Sequence, residues 1–441
     1  MKLLLIDDGA FGLSFVMRCQ EAGHDVRVFN RTDEKSKFIG KGIWERVDSF
    51  EPWLRWADLI VLTDNTRYIQ AMDNFRKVYP KAKVIAPTTR TAAWEQDRKT
   101  GDEIFKRAGI ATLPTREFSS YDDAIAYVKK RDTRLVSKPN GKTSNNKALS
   151  YCAKSPEDLV YMLERWKRSH HLKDSFVLQD FMPGIEMAVG AWFGPSGFNS
   201  GFEENWEFKK YANDDMGVAT GEQGTVLRFV GKSKLAQMVV EPLRPQLQAA
   251  AYLGNIDVNC IIDEKGNPWP LEFTNRLGWP AFQIAMALHE GDPAQWLLDL
   301  AEGRDAKNFR QDEIAIGVVL SIPDYPYSHA TRAEVVGVPI YGLKPEMLEK
   351  LHFCEVQLGA GPAKTPSGIK PVTMYTTAGD YVMVATGTGS SVEAARKKVY
   401  GLLKEISLPS SPMYRTDIGK RLQKQLPELQ KHSYAMGMTY Q

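Results

Sequence analysis

The chain has 441 residues, 43% hydrophobic and 25% charged, with a formal net charge of +3. That balance argues against a disordered chain, no apolar run approaches the ~20 residues that span a bilayer, and so small a charge does not indicate nucleic-acid binding. The length allows roughly two to four units, each able to bury its own core.

The first segment, MKLLLIDDGAFG, is a short apolar run that meets two Asp at once. It reads as a buried first strand, not as a signal peptide. Cys19, Cys152, Cys260 and Cys354 are far apart, form no CxxC, and read as buried free thiols of a cytoplasmic protein. The seven His lack zinc-ligand spacing.

Residues 1–90 alternate strand and helix: Leu3–Ile6, the amphipathic run Leu13–Glu21, Val26–Phe29, Leu59–Leu62 and Val84–Ala86. Such alternation implies a parallel sheet covered on both faces. The loop Asp7–Gly12 sits where ligands of such sheets bind, but its G-x-x-G pattern is partial and two acids would repel a phosphate. A tight turn is the simpler reading.

Thr91–Arg107 reads as one helix carrying Arg98 and Lys99. Arg134–Lys138 is a strand, ending in Lys before a Pro-Asn-Gly turn and a polar loop, GKTSNNKALS. Ser155 caps a helix running to about Arg165, with Pro156 at its first position. Phe176–Leu178 is a strand, Gln179–Gly184 a linker, and Glu186–Phe193 the next strand. Residues Asn199–Gly224 read as a long polar loop with Lys209 and Lys210 in its middle. Leu235–Leu253 is helical, broken or kinked at Pro242 and Pro245.

Val258–Ile262 and Pro268–Phe273 flank the turn Asp-Glu-Lys-Gly-Asn and read as a β-hairpin. Asp257 and Asn259 share one face of the first strand. Glu272 ends the second strand, with Asn275 and Arg276 just outside it. Hard oxygens of this kind hold Mg²⁺ through one or two carboxylates plus substrate phosphates, and an Arg grips a phosphate or carboxylate in bidentate fashion. An ordinary hairpin with a charged rim is the competing reading.

Two helices follow near Ala281–His289 and Pro293–Glu302, then a polar boundary at Ala306–Asp312. Ile314–Ser321 is a strand, and Val372–Thr377 and Tyr381–Thr386 are expected to pair across Ala378–Asp380. Ser390 and Glu393 make a capping box for the helix Val392–Ile406.

Several stretches, taken in this order, resemble the ATP-grasp ligases, and specifically phosphoribosylamine–glycine ligase. They are VIAPTTRTAAWEQDRKTGDEIFKRAGIATLPT, RLVSKPNG, VLQDFMPGIE, YLGNIDVNCIIDEKGNPWPLEFTNRLGWP, SSVEAARKKVYGLLKEI and YRTDIGKRL. The similarity spans nearly the whole chain. It implies an α/β, multi-domain ATP-grasp fold: an N-terminal parallel-sheet domain over 1–90, the ATP-grasp domain over 91–310 with a small lobe near 112–180, and a small C-terminal domain over 311–441.

The resemblance also implies roles. Lys138 would hold the ATP phosphates, with Lys99 or Arg98 as an earlier basic ligand. The hinge Gln179, Asp180, Phe181 and Met182 would read adenine through its backbone, and Glu186 would take the ribose hydroxyls. Lys209 would approach the γ-phosphate and Arg276 would hold the acyl phosphate or a substrate carboxylate. Glu272 would bind Mg²⁺ (or Mn²⁺), completed by Thr274 or Asn275 and supplemented by Asn259. The implied activity is ATP-dependent joining of glycine or a similar amino acid to an amine on a nucleotide-type or sugar-type acceptor, through an acyl phosphate. The implied partners are small molecules, with no membrane, and the chain would be a monomer or homodimer.

Three departures stand out. The family's GxGGREH turn reads IDDGAFGLS, so the sugar-phosphate acceptor is in question. Its glycine-rich flap reads GKTSNNKALS, with less of the backbone freedom that cradles phosphate. Its E-x-N-x-R reads Glu272-Phe-Thr-Asn-Arg276, and a one-residue shift changes face on a strand. A true phosphoribosylamine–glycine ligase and a non-catalytic nucleotide-binding protein are the rival readings.

Overall fold

The computed structural model describes residues 1–30, 36–140, 150–169, 175–304, 308–328, 332–409 and 411–441. Residues 141–149, expected to form the flap, lie outside them. The fold is mixed α/β, with one parallel sheet and several antiparallel ones.

The N-terminal sheet is five-stranded and parallel, in the order Arg46–Val47, Asp25–Phe29, Lys2–Ile6, Leu59–Leu62, Val84–Ile85. Its central strand buries Leu3 to Ile6 completely, as expected of a strand covered on both faces. A small lobe has its own core around Phe118, Leu163, Trp166 and Phe176, and a four-stranded sheet ordered Thr115–Phe118, Phe176–Asp180, Leu135–Pro139, Tyr151–Cys152.

The third sheet has eight antiparallel strands. Their order is Pro268–Thr274, Gly254–Ile262, Ile185–Gly194, Gly197–Glu207, Gly224–Val230, Ile314–Ser321, Tyr381–Gly389, Leu351–Phe353. It continues through Ile314–Ser321, past the boundary expected at Ala306–Asp312.

Several local expectations change. The polar loop begins with the strand Gly197–Glu207. Along it Phe202, Glu204 and Trp206 point into the packed side, whereas Glu203, Asn205 and Glu207 share the other face. Acids on both faces hide the alternation. Arg228 pairs with Glu204 through two hydrogen bonds, 3.0 and 2.7 Å, which lets that acid lie in the core.

Val372–Thr377 does not pair with Tyr381–Thr386. It belongs to Gly368–Thr377, which forms a ribbon with Val356–Thr365. Tyr381–Gly389, almost wholly buried, inserts between Ile314–Ser321 and Leu351–Phe353. The single helix over 91–107 is two, Thr89–Gln96 and Arg98–Arg107. Asp97 between them is extended, and its carboxylate accepts from the Thr100 N–H to cap the second. The helix Val392–Leu403 is capped by Ser391, not Ser390. Cys152 is exposed; the other three cysteines are buried and free.

Candidate active site

The hairpin forms as expected, with Asp257 opposite Thr274 and Asn259 opposite Glu272. Directly opposed residues share a face, so these four look into one cleft. The next strands contribute to the same face: Glu186, Ala188 and Gly190 from one, Glu207, Asn205 and Glu203 from the other.

Lys209 follows the strand end, and Thr220 fixes its carbonyl through both the N–H, at 2.9 Å, and the hydroxyl, at 2.8 Å. Its ammonium lies 2.9 Å from Glu186, 2.9 Å from Glu207 and 3.3 Å from Glu272. Burial alone would push this lysine down, but the three carboxylates hold it well above its ordinary range. Burial opposes ionisation of Glu186 too, yet the Lys209 ammonium and the Asn259 amide keep it low.

The opposite wall comes from the small lobe and the helix Arg98–Arg107. Lys138 stands on the strand Leu135–Pro139, half-buried, with its ammonium 3.4 Å from the Leu271 carbonyl. Burial, then repulsion from Arg98 and Lys209, lowers it to about 7. Arg98 ties the walls together. Its Nε donates to the Pro139 carbonyl at 3.1 Å, its N–H to Asn140 at 2.9 Å, and its Nη2 lies 3.6 Å from Glu272. Lys99, expected as the alternative, is exposed. Neighbouring helical residues point about 100° apart, so only one of the pair can face the cleft.

Two hollows meet here, both lined by Glu272. The smaller, about 440 Å³, is also lined by Arg98, Lys138, Gln179 and Phe273. The larger, about 780 Å³, includes Lys209, Thr274, Arg276 and Trp279. Of the four hinge residues, Gln179 lines the smaller hollow, its amide donating to Thr115. Gln179 and Asp180 belong to the strand Phe176–Asp180, not to a linker. Asp180 pairs with Arg131, and the Arg134 guanidinium lies 3.4 Å from the Phe181 ring centroid. The N–H groups of Asp180 and Phe181 already donate to the Pro114 and Arg134 carbonyls, so they cannot serve as donors to a base. Met182 is half-buried just beyond.

Thr274 and Asn275 point to opposite sides of the strand. Thr274 lines the larger hollow. Asn275 is fully buried on the other side: its amide donates to the Thr91 carbonyl, its Oδ1 accepts from Asn65, and its N–H reaches Glu95. The strand bulge lies between Asn259 and Cys260, too far away to turn Asn275 round. Asn275 thus faces away from the hollow, with its amide and its backbone N–H engaged by Thr91, Asn65 and Glu95. Glu95 also holds the Arg276 guanidinium at 3.3 Å.

Glu95, Glu203, Glu207 and Glu222 were not singled out from the sequence. The period-two spacing of Glu203, Asn205 and Glu207 would have pointed to two of them. Among the described residues, no three His, Cys, Asp or Glu side chains converge as a self-contained metal site. The oxygens nevertheless suit a hard cation bound partly through phosphate: Glu272 and Thr274, which line the larger hollow, and the buried Oδ1 of Asn259, which has no hydrogen-bond partner among the described residues.

The loop Asp7–Gly12 closes on itself. Asp7 is fully buried, accepting from the Gly12 N–H at 2.7 Å and the Thr63 hydroxyl at 2.8 Å. Asp8 pairs with Arg67 at 3.2 Å. A carboxylate of the chain thus occupies the anion position ahead of the helix Leu13–Glu21.

No family model matches the chain. Phosphoribosylamine–glycine ligase of Salmonella typhimurium is 25% identical over 368 residues, covering 80% of each chain. The crystal structure of phosphoribosylamine–glycine ligase from Thermotoga maritima superposes with a TM-score of 0.71 at 20% identity, over 95% of this chain and 100% of that one. The fold is that of the ATP-grasp ligases, and the sequence resembles phosphoribosylamine–glycine ligase. The biotin carboxylase domain of Hydrogenobacter thermophilus 2-oxoglutarate carboxylase, solved with MgADP and bicarbonate, has the same fold at TM-score 0.62 and 13% identity, over 98% of this chain and 95% of that one. Among the described residues no helix is long and apolar enough to cross a membrane.

Proposed function

We propose that this ATP-grasp chain is an ATP-dependent carboxylate–amine ligase that works through an acyl phosphate. The observation carrying the proposal is the convergence of Lys138, Arg98, Lys209 and Glu272 on one cleft between two lobes. The nucleotide would occupy the smaller hollow, with Lys138 and Arg98 on its phosphates. Mg²⁺, held by Glu272 with Asn259 and Thr274, would neutralise phosphate charge.

Arg276, oriented by Glu95, would hold the carboxylate of glycine or a similar amino acid. That carboxylate attacks the γ-phosphorus, the bond to the β-phosphate oxygen breaks, and ADP leaves. A neutral amine then attacks the acyl carbon, phosphate leaves with the electron pair of the broken C–O bond, and the nitrogen gives up a proton as the amide forms. Such transfer depends on positioning and charge neutralisation more than on covalent help. Lys209, now engaged by three carboxylates, would turn to the transferring phosphoryl group when the nucleotide arrives.

Amino-acid- and amine-dependent ADP release tests the reading. Turnover that disappears in Glu272→Gln supports it; ATP binding without turnover across the whole panel counts against it. The sequence relatives favour one narrower version, in which the acceptor is phosphoribosylamine. Rescue of a purine auxotroph would support that version, and failure despite good expression would remove it.

A further inference from the structure

One end of the larger hollow has no place in the scheme above. Across four strands the cleft face runs Glu203, Gly190, Asp257, Thr274. Glu203 and Asp257 are 6% and 8% exposed, and Glu222, 6% exposed, lines the same hollow within charge range of Asp257. Gly190 leaves a gap between the first two: a Cβ there would come to 3.0 Å from Asp257 Oδ2.

Burying three acids is costly unless something answers them. The fixed cations lining this hollow are paired with other acids, Lys209 with Glu186, Glu207 and Glu272, and Arg276 with Glu95. Asn205 donates to Asp257 at 2.8 Å. Its own Oδ1, and Glu222 Oε1, are buried acceptors without a partner among the described residues. Native structures seldom leave such atoms unsatisfied, so each needs a reason. Trp192 and Trp279 add aromatic wall, and the Trp192 indole N–H, also without a partner, offers one donor.

We propose that this end is an ammonium subsite, bounded by Glu203, Asp257, Glu222 and Asn205 over Gly190, and that the acceptor is a non-phosphorylated aliphatic diamine: this end holds its ammonium, and its other amine, neutral, is the one acylated. The inference rests on the ligase reading and narrows it. An ammonium carries three donors and no acceptor, which matches a set of orphan acceptors and carboxylates. Wall aromatics favour a cation over a neutral group. Phosphate finds the opposite: acids here, and Asp7 already seated at the helix start.

The test uses the full chain without ATP or amino acid, titrated calorimetrically with 1,4-diaminobutane, 1,4-butanediol and ribose 5-phosphate. The diamine is expected to bind, the diol and the sugar phosphate to bind at least about tenfold more weakly. Glu222→Gln and Asp257→Asn should each weaken the diamine by about tenfold, the scale of a hydrogen bond to a charged group. If Asp257→Asn fails to fold, Glu222→Gln carries the reading alone. Equal binding of diamine and diol, tighter binding of ribose 5-phosphate, or diamine binding unchanged in a folded Glu222→Gln overturns the subsite. Diamine binding with no ADP release from any acceptor would sink the ligase reading and leave the subsite. ADP release confined to phosphorylated amines would do the reverse.

Discussion

Glu203 and Glu204 are neighbours in sequence and face opposite sides of the same sheet. On the packed side Glu204 is held by two bonds from Arg228 and a third from Ser233 at 2.7 Å. On the cleft side Glu203 lies near Asp257 and Glu207, and burial, then those two acids, hold it well above the usual carboxylate range. One face spends its polar groups on internal partners and becomes rigid; the other leaves groups to be completed by a ligand. Burial by itself does not separate structure from function. Satisfaction does.

The sharpest way to break this comparison is to remove the partner on the packed side. Arg228→Ala should cost about 3–5 kcal/mol in urea unfolding, because Glu204 is left as an uncompensated buried charge. Glu203→Gln, one residue away in effect but on the cleft face, should leave stability unchanged or raise it. Equal losses from both would erase the distinction.

Activity should follow the other face. Lys138→Met and Glu272→Gln are each expected to lower the ADP-release rate by about 10²–10³, the effect of losing one preorganised charge-stabilising group, while near-UV circular dichroism stays the same.

Asp7 is a third kind of buried acid, hydrogen-bonded to neutral groups, the Gly12 N–H and the Thr63 hydroxyl. Burial, against its hydrogen bonds to Gly12 and Thr63, pushes it from 3.8 to about 6. The folded chain therefore keeps this proton where the unfolded chain has lost it. The resulting stability is fully present below about pH 4 and disappears as pH rises through about 6, an effect of about 3 kcal/mol. Subtracting the pH profile of Asp7→Asn from that of the natural chain should reveal a step of that sign.

The smallest effect sharpens the site itself. Arg98→Ala should lower ATP affinity about tenfold, and Lys99→Ala should leave it within error, as measured by nucleotide titration.

Some of this was legible from the chain alone. Apolar runs and turn residues marked the Leu59–Leu62 strand, the Leu13–Glu21 helix and the 257–274 hairpin, because those signals are local. Period-two alternation brought Asn259 and Glu272 to one mouth for the same reason. Charged residues on both faces of Gly197–Glu207 hid that strand, since the ion pair that lets Glu204 lie inside comes from Arg228 on the next strand. Which basic residue enters the cleft, Arg98 or Lys99, depended on a helix break at Asp97 and on the small lobe meeting it at Pro139. Thr274 faces the cleft and Asn275 the other side, where residues far away in sequence engage it: the Thr91 carbonyl accepts from its amide, Asn65 donates to its Oδ1, and Glu95 accepts from its backbone N–H. The sequence by itself determined the elements and the parity of their side chains. Only the tertiary structure decided which carboxylates were answered and which were left facing the cleft, because hydrogen-bond partners across a sheet are supplied by chain segments no local pattern can reach.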